Sequence, residues 1–139
     1  SVTGVLTCAL PIWDHIYQYQ YNNWTVGWGH KLELQGFVPK DACQILFRHD
    51  YEQAEADFEK LNLSLDPIRR IILIDLLFNM GLSGVIKFER MLRALQRRDF
   101  ESASQELMDS KYFKRDHNCS GRALRNATIL RTGFLIAED

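Results

Sequence analysis

The sequence has no long uninterrupted apolar run, few prolines, few cysteines and almost no net charge. Its longest apolar stretch, around Ile71–Phe78, contains Asp75 and is far shorter than the ~20 residues that span a membrane. Cys8, Cys43 and Cys119 match neither a disulfide framework nor a zinc-binding spacing, and they favour a reducing compartment. A net charge of −1 provides no global basic field that would attract a polyanion.

What is present suits one globular domain. The chain has 139 residues, of which 46% are apolar and 25% charged. The charges are unevenly distributed, because residues 1–60 carry a net charge of −4 and residues 61–139 a net charge of +3. The first 13 residues have no charged side chain, so Asp14 is the earliest acidic residue.

The sequence of residues 1–12 matches neither a typical signal peptide nor a typical N-terminal helix. They have no basic start and only a short apolar stretch, which argues against a signal peptide. We expect them to be a non-native artefact of the gene sequence, with a native start as the alternative. Gly4 and Pro11 are poor helix formers, so we also expect this segment to be loose or only partly helical.

A β-hairpin is predicted over residues 15–30. Tyrosine alternates with glutamine over residues 17–21, and Trp24, Val26 and Trp28 alternate with smaller residues. Asn22 and Asn23 are expected to form the turn, because asparagine tolerates a positive φ angle.

From Pro39 onward the apolar spacing becomes helical. It predicts a long helix over residues 39–61 and a buried helix over residues 67–80, which Asp66 would cap and Gly81 would end. Further helices are expected near residues 84–97, 99–109 and 119–131.

The predicted fold class is therefore α+β, mainly α. We expect a single domain over residues 13–139. It would consist of a hairpin lobe (13–38), a connecting helix (39–61) and a helical lobe (62–139), with a ligand cleft between the lobes.

Two segments carry a resemblance to a known family. The hairpin sequence Trp-Thr-Val-Gly-Trp-Gly-His over residues 24–30 resembles that of the phage-type lysozymes, glycoside hydrolase family 24. The stretch from Arg69 to Gly133 is similar to their C-terminal lobe in the order and spacing of its motifs, which include Phe-Asn-Met-Gly at residues 78–81 and Arg-Thr-Gly at residues 131–133. The resemblance covers roughly residues 15–133.

The resemblance implies hydrolysis of the β-1,4 bond between N-acetylmuramic acid and N-acetylglucosamine in peptidoglycan. That reaction needs a carboxylic acid to protonate the leaving oxygen and an ionised carboxylate across the cleft. Thr25 matches the family threonine that helps to hold the attacking water. The family aspartate position falls on Tyr19, however, and the family glutamate position falls on Leu10.

The two defining carboxylates are therefore missing from their positions. Asp14 has the wrong spacing from Thr25 for either role. Tyr19 as a nucleophile, as in sialidases, would need an adjacent base that the sequence does not identify. We expect the chain as written to be very weak or inactive as an enzyme, because losing a general acid typically costs about 10²–10⁴-fold in rate.

Other positions are carried over from the resemblance as supporting residues. His30 and Asp50 match a pair that would clamp the hairpin to the connecting helix, with two unrelated solvated residues as the alternative. Arg122 matches an arginine that faces the catalytic glutamate, and with Leu10 at that position it would lack this partner.

Four positions correspond to the family's substrate cleft: Lys31, Phe78, Met91 and Glu106. Phe78 fits core packing equally well, and the other three differ in type from the family residue. The resemblance implies no cofactor, and the sequence shows no metal-ligand pattern.

The expected partner is the glycan strand of bacterial peptidoglycan. We expect a monomer without a membrane span, made in the host bacterial cytoplasm and acting on the wall after release. One alternative is a non-catalytic lysozyme-fold protein that binds peptidoglycan or is purely structural. Another is nucleic-acid binding by residues 87–131, whose net charge is +5, but these bases are spread among acids without a recognition motif and suit the anionic cell wall equally.

Overall fold

A computed structural model of the protein describes residues 17–19, 23–26, 30–33, 36–115 and 121–136. The chain forms two compact units, residues 1–43 and residues 44–139. The expectation of a loose segment over residues 1–12 lies outside the described residues. The lobe boundaries predicted from the sequence stay a prediction.

The first unit contains a three-stranded antiparallel sheet in the order β1 (Tyr17–Tyr19), β2 (Asn23–Val26), β3 (His30–Lys31). Pairing of β1 with β2 confirms the predicted hairpin, but the predicted turn position is wrong. Asn23 lies in β2 opposite Tyr19, so the two strands are joined by residues 20–22. The alternation of the tyrosines is the same in either register, so it could not locate the turn.

Helix α1 (Lys40–Lys60) confirms the predicted long helix. Ala54, Asp57 and Phe58 are its buried residues, whereas every residue from 43 to 53 is exposed. Lys60 Nζ lies 2.8 Å from Asp57 Oδ1. This hydrogen bond is the main reason why the pKa of Asp57 is lowered.

Helix α2 (Pro67–Val85) is the centre of the helical unit. Its start is as predicted, because Asp66 accepts a hydrogen bond from the Arg69 N–H at 3.1 Å and Pro67 occupies the first turn. Gly81 breaks the helix with φ +70°, but helical structure resumes up to Val85. The helix fills the core with the following residues: Ile72, Leu73, Ile74, Leu76 and Leu77.

The remaining helices are α3 (Glu89–Gln96), α4 (Phe100–Met108), α5 (Lys111–Arg115) and α6 (Arg122–Thr132). The predicted start of α3 at residue 84 is wrong, because residues 82–85 complete α2 and a turn follows. The short helix α5 was not predicted. Asp99 caps α4 by accepting the Ser102 N–H at 3.1 Å.

Hydrogen bonds join α2 to α6 in the helical unit. Arg69 Nε donates to the Leu130 carbonyl at 2.7 Å, and its Nη2 donates to the Arg131 carbonyl at 2.9 Å. Asp75 Oδ2 accepts from Asn126 Nδ2 at 2.7 Å on the same pair of helices. Among the described residues, no single helix has the length and hydropathy of a membrane span, and α2 and α3, bent by 115° at their junction, satisfy those criteria only as a pair.

Candidate functional site

The hairpin positions of the predicted site belong to the first unit. Thr25 lies in the central strand, opposite Tyr17 and Lys31, and only 5% of it is exposed. Tyr19 and His30 lie in strands, but the side chains of both, like Leu10 as a whole, are outside the part of the chain that is described. Their roles stay predictions.

Lys31, the predicted cleft residue of the hairpin, is exposed and paired locally. Its Nζ lies 2.8 Å from Glu33 Oε1. The hydrogen bond from Lys31, reinforced by its charge, lowers the pKa of Glu33. An exposed pair of this kind adds little stability, so Lys31 can exchange Glu33 for another anion at small cost.

The supporting residues Asp50 and Arg122 belong to the helical unit. Asp50 Oδ1 lies 3.2 Å from Nδ1 of its neighbour His49, and both are exposed on α1. Arg122 Nη1 donates to Asn79 Oδ1 at 3.0 Å, which gives this arginine a neutral partner on α2. The proposed pair of His30 with Asp50 stays a prediction.

Two predicted substrate positions, Met91 and Glu106, line one groove of about 910 Å³ in the helical unit. Pockets of this size accommodate small ligands or short polymer segments. Met91 is fully buried and belongs to the core, so it can form only the floor of the groove, whereas Glu106 is partly exposed beside it. Substrate contact by either residue stays a prediction.

The groove carries charges of both signs over an apolar floor. Met80, Phe88 and Met91 contribute apolar surface. The charged residues in its lining are Lys87, Glu89, Arg90, Glu106, Asp109 and Lys111. Such a lining suits a polar polymer with apolar faces, as a saccharide with attached peptides is, better than a purely apolar ligand.

Several of these charges have no partner within the described residues. The side chains of Lys87, Arg90, Glu106 and Lys111 make no hydrogen bond or ion pair there, whereas Asp109 accepts from Gln105 at 3.1 Å. Unpaired charges at a groove are available for a ligand and need not first be separated from protein partners.

The wall of the groove depends on Gly84. A Cβ atom at this position would lie 2.9 Å from both Cβ and Cγ of Met80, closer than real side chains approach. Glycine at this position therefore leaves room for the Met80 side chain. The groove is shaped at this point by a missing side chain.

Phe78 is placed elsewhere in the helical unit. Its ring centroid lies 5.5 Å from that of Phe47, which in turn stacks on Tyr51 at 6.0 Å. Phe78 is 38% exposed. The alternative that Phe78 is simply a core residue is therefore wrong, while its contact with a saccharide stays a prediction.

Sequence reasoning missed most of the groove. Lys87, Arg90 and Lys111 were not singled out, and Gly84 was considered only as the start of a helix. Their positions in the sequence give no signal that separates them from ordinary surface residues. No group of three or more His, Cys, Asp or Glu side chains among the described residues is arranged to hold a metal ion.

Comparisons with known proteins agree with this architecture. The sequence profile of the phage lysozyme family matches residues 12–127. The chain is 24% identical over 119 residues to "Probable T4-type lysozyme 1" of Dictyostelium discoideum, covering 78% of this chain and 68% of that protein. It is 30% identical over 107 residues to "Pre-baseplate central spike protein Gp5" of Enterobacteria phage T4, covering 72% of this chain but 18% of that protein. The chain belongs to the phage lysozyme family, with a lysozyme-like α-rich fold and a function related to peptidoglycan.

Proposed function

We propose that this chain binds bacterial peptidoglycan as a muramidase-type lysozyme whose turnover is strongly reduced. The observation that carries the proposal is the match of the phage lysozyme family to residues 12–127. The groove over Met91 and Glu106 supports it, since two positions chosen from the resemblance line the same surface. Production in the bacterial cytoplasm, monomeric action and release to the wall belong to the same proposal.

Reduced turnover follows from the residues at the two catalytic positions. Leu10 has no proton to give to the glycosidic oxygen, and Tyr19 replaces the carboxylate that would stabilise the oxocarbenium-like transition state. Thr25 keeps the hydroxyl group that would orient water. Binding of glycan and cleavage of glycan are therefore expected to separate in this chain.

The second candidate is a non-catalytic peptidoglycan-binding protein. It is favoured by the same substitutions, together with the unpaired charges of the groove. A binding protein needs the groove and the folded helical unit, and it does not need a general acid. The two candidates share the ligand and differ only in residual cleavage.

Two measurements on the purified chain test the proposal. Co-sedimentation with insoluble peptidoglycan measures binding, and turbidity of the same suspension measures cleavage. We expect binding with slow or no clearing. The double variant M80A/E106Q, which alters two groove residues, should weaken sedimentation, whereas R48Q, at an exposed residue of α1, should not.

The outcomes separate the alternatives. Rapid clearing by the unmodified chain would contradict reduced turnover. Detectable release of reducing sugar favours the weak enzyme, and its absence with retained binding favours the binding protein. No sedimentation with peptidoglycan by a folded chain would overturn both.

A further inference from the structure

The segment around helix α3 concentrates positive charge in a protein whose net charge is close to zero. Residues 87–98 contain five bases and one acid. Arg90 and Arg93 lie in α3 and Arg97 is its C-cap residue, and their intervals of three and four residues place them on one face of the helix. We call these three residues the arginine stripe. All three are exposed, and the stripe extends about 10 Å along the helix axis.

The opposite face of α3 holds the helix in place. Met91, Ala94 and Leu95 are buried in the core, so the helix cannot turn the stripe inward. The three arginines therefore stay on the solvent-facing side of the helix. One terminal arginine would already satisfy the favourable interaction with the helix dipole, so this interaction does not account for three.

The protein does little to neutralise the stripe. Arg93 Nη2 lies 3.4 Å from Glu89 Oε2, and both side chains are largely exposed. Such an exposed pair is worth little and exchanges readily. The side chains of Arg90 and Arg97 make no hydrogen bond or ion pair with the described residues, and the nearby charge of Asp99, whose pKa Arg97 helps to lower, only partly offsets that of Arg97.

The stripe continues the groove described above. Arg90 belongs to both, and Lys87, one turn earlier, also lines the groove. A polymer seated in the groove would therefore bring whatever is attached to it close to Arg93 and Arg97. This continuity distinguishes the stripe from bases scattered over a solvated surface.

We propose that the arginine stripe binds a phosphate-bearing polymer of the bacterial wall, a chain of polyols joined by phosphodiesters and attached to peptidoglycan. The proposal rests on the proposed function for the choice of the wall as the source. Phosphate is favoured because the planar guanidinium fork pairs with two phosphate oxygens at once, and the stripe contains arginine at all three positions. A flexible polyanion needs a row of charges rather than a shaped pocket.

The test uses the double variant R93Q/R97Q, which leaves every groove residue intact. The control variant R48Q/R131Q removes the same charge from exposed residues of α1 and α6. Each protein is titrated with four probes: walls carrying their phosphate polymer, the same walls stripped of it with hydrofluoric acid, soluble poly(glycerol phosphate) and duplex DNA. Circular dichroism checks that every variant is folded.

We expect R93Q/R97Q to bind intact walls and poly(glycerol phosphate) about ten- to thirty-fold more weakly than the unmodified chain. The slope of log affinity against log salt should fall by about one to two. Binding to stripped walls should be unchanged, and the control should bind all probes as the unmodified chain does.

Three results would overturn the proposal. R93Q/R97Q binding intact walls normally would show that the stripe makes no contact. An equal loss on stripped walls would assign the stripe to the carboxylates of peptidoglycan. Tighter, arginine-dependent binding of DNA at the same phosphate concentration would assign it to nucleic acid. Failure of the unmodified chain to bind stripped walls would count against the proposed function alone, because arginine-dependent binding of poly(glycerol phosphate) would still support the stripe.

Discussion

The two units differ in what they have kept of the phage lysozyme family. The helical unit has a continuous buried core and a groove of about 910 Å³, and α2 is capped as its sequence predicts. The hairpin unit keeps the buried Thr25 in a short sheet, and in the function proposed above Tyr19 takes the position of a catalytic carboxylate. The groups that hold the fold and bind a ligand are therefore separable from the groups that carry out the reaction.

This difference shows why membership of the family does not establish activity. The core depends on many apolar contacts, each of which tolerates change within limits of volume. An apolar side chain cannot replace a carboxylic acid that protonates the leaving oxygen, and a phenol, which is not ionised at neutral pH, does not supply the negative charge of a carboxylate. A chain can thus lose its chemistry through two substitutions while the rest of its architecture remains.

The largest expected effect comes from restoring the missing carboxylates. The double variant L10E/Y19D should raise the rate of peptidoglycan clearing by about 10²–10⁴-fold, because a general acid typically contributes that much. The measurement is the initial rate of turbidity loss at equal protein concentration. The single variants should each give much less, since the two groups act together.

The isosteric variant L10Q/Y19N is the matched control. It introduces similar polarity without an ionisable group, so it should stay as slow as the unmodified chain. A folded L10E/Y19D that clears no faster than this control would contradict the assignment of Leu10 and Tyr19 to the catalytic positions.

The next effect concerns stability and compares the two units directly. Leu76 is completely buried in α2, so L76A should lower the free energy of unfolding by about 2–5 kcal/mol. V26A, at a half-buried residue of β2, should lower the free energy of unfolding by about 1 kcal/mol. Urea unfolding followed by circular dichroism measures both values. A larger loss of unfolding free energy for V26A than for L76A would contradict the expectation that stability depends more on the core of the helical unit.

The sequence predicted the helical unit well because its signals are local. Asp66 before Pro67 predicts a helix start, and the structure shows the hydrogen bond to the Arg69 N–H that makes this start stable. The position of the hairpin turn could not be predicted, because either register preserves the alternation of residues 17–21. The predicted start of α3 was wrong because Gly84, predicted to begin that helix, lies inside the last turn of α2.

The groove was beyond sequence reasoning for a different reason. Its lining comes from the end of α2, from α3, α4 and the start of α5, which are brought together only by the packing of the core. Met91 and Glu106 were found through the resemblance, whereas Lys87 and Lys111 had no local pattern to distinguish them from ordinary surface bases. Local sequence patterns do not show which of these helices pack together, so the groove could not be predicted from them.

A smaller effect is expected for the charge at the start of α2. Burial raises the pKa of Asp66, but hydrogen bonds from the Arg69 side chain and backbone, together with its charge, outweigh burial and lower the pKa overall. The ionised carboxylate therefore stabilises the fold above the unfolded pKa of about 4, and this contribution is lost as pH falls through the lower folded pKa. D66N, which keeps a capping oxygen, should cost about 1–2 kcal/mol at neutral pH.

The pH dependence identifies the cause. The difference in unfolding free energy between the unmodified chain and D66N should be constant from pH 5 to 7, roughly, and should shrink below about pH 4 as Asp66 becomes protonated. E52Q removes an exposed carboxylate of α1 that makes no described hydrogen bond, so it should show no such difference. A gap for D66N that persists at pH 2 would assign the effect to packing.

The smallest effect is expected at the groove wall, where its sign depends on the background. G84A places a Cβ 2.9 Å from Cβ and Cγ of Met80, and these atoms cannot swing aside as the end of the side chain could. The strain should outweigh the helix propensity that alanine gains, so G84A should lower stability by about 1 kcal/mol. In the M80G background both of these atoms are absent, and the same change should instead raise stability by about 0.5–1 kcal/mol. Urea unfolding of the four proteins forms a double-mutant cycle. A destabilising G84A in both backgrounds would show that Met80 is not the residue that requires glycine here, and that this wall of the groove is packed more loosely than the core beneath it.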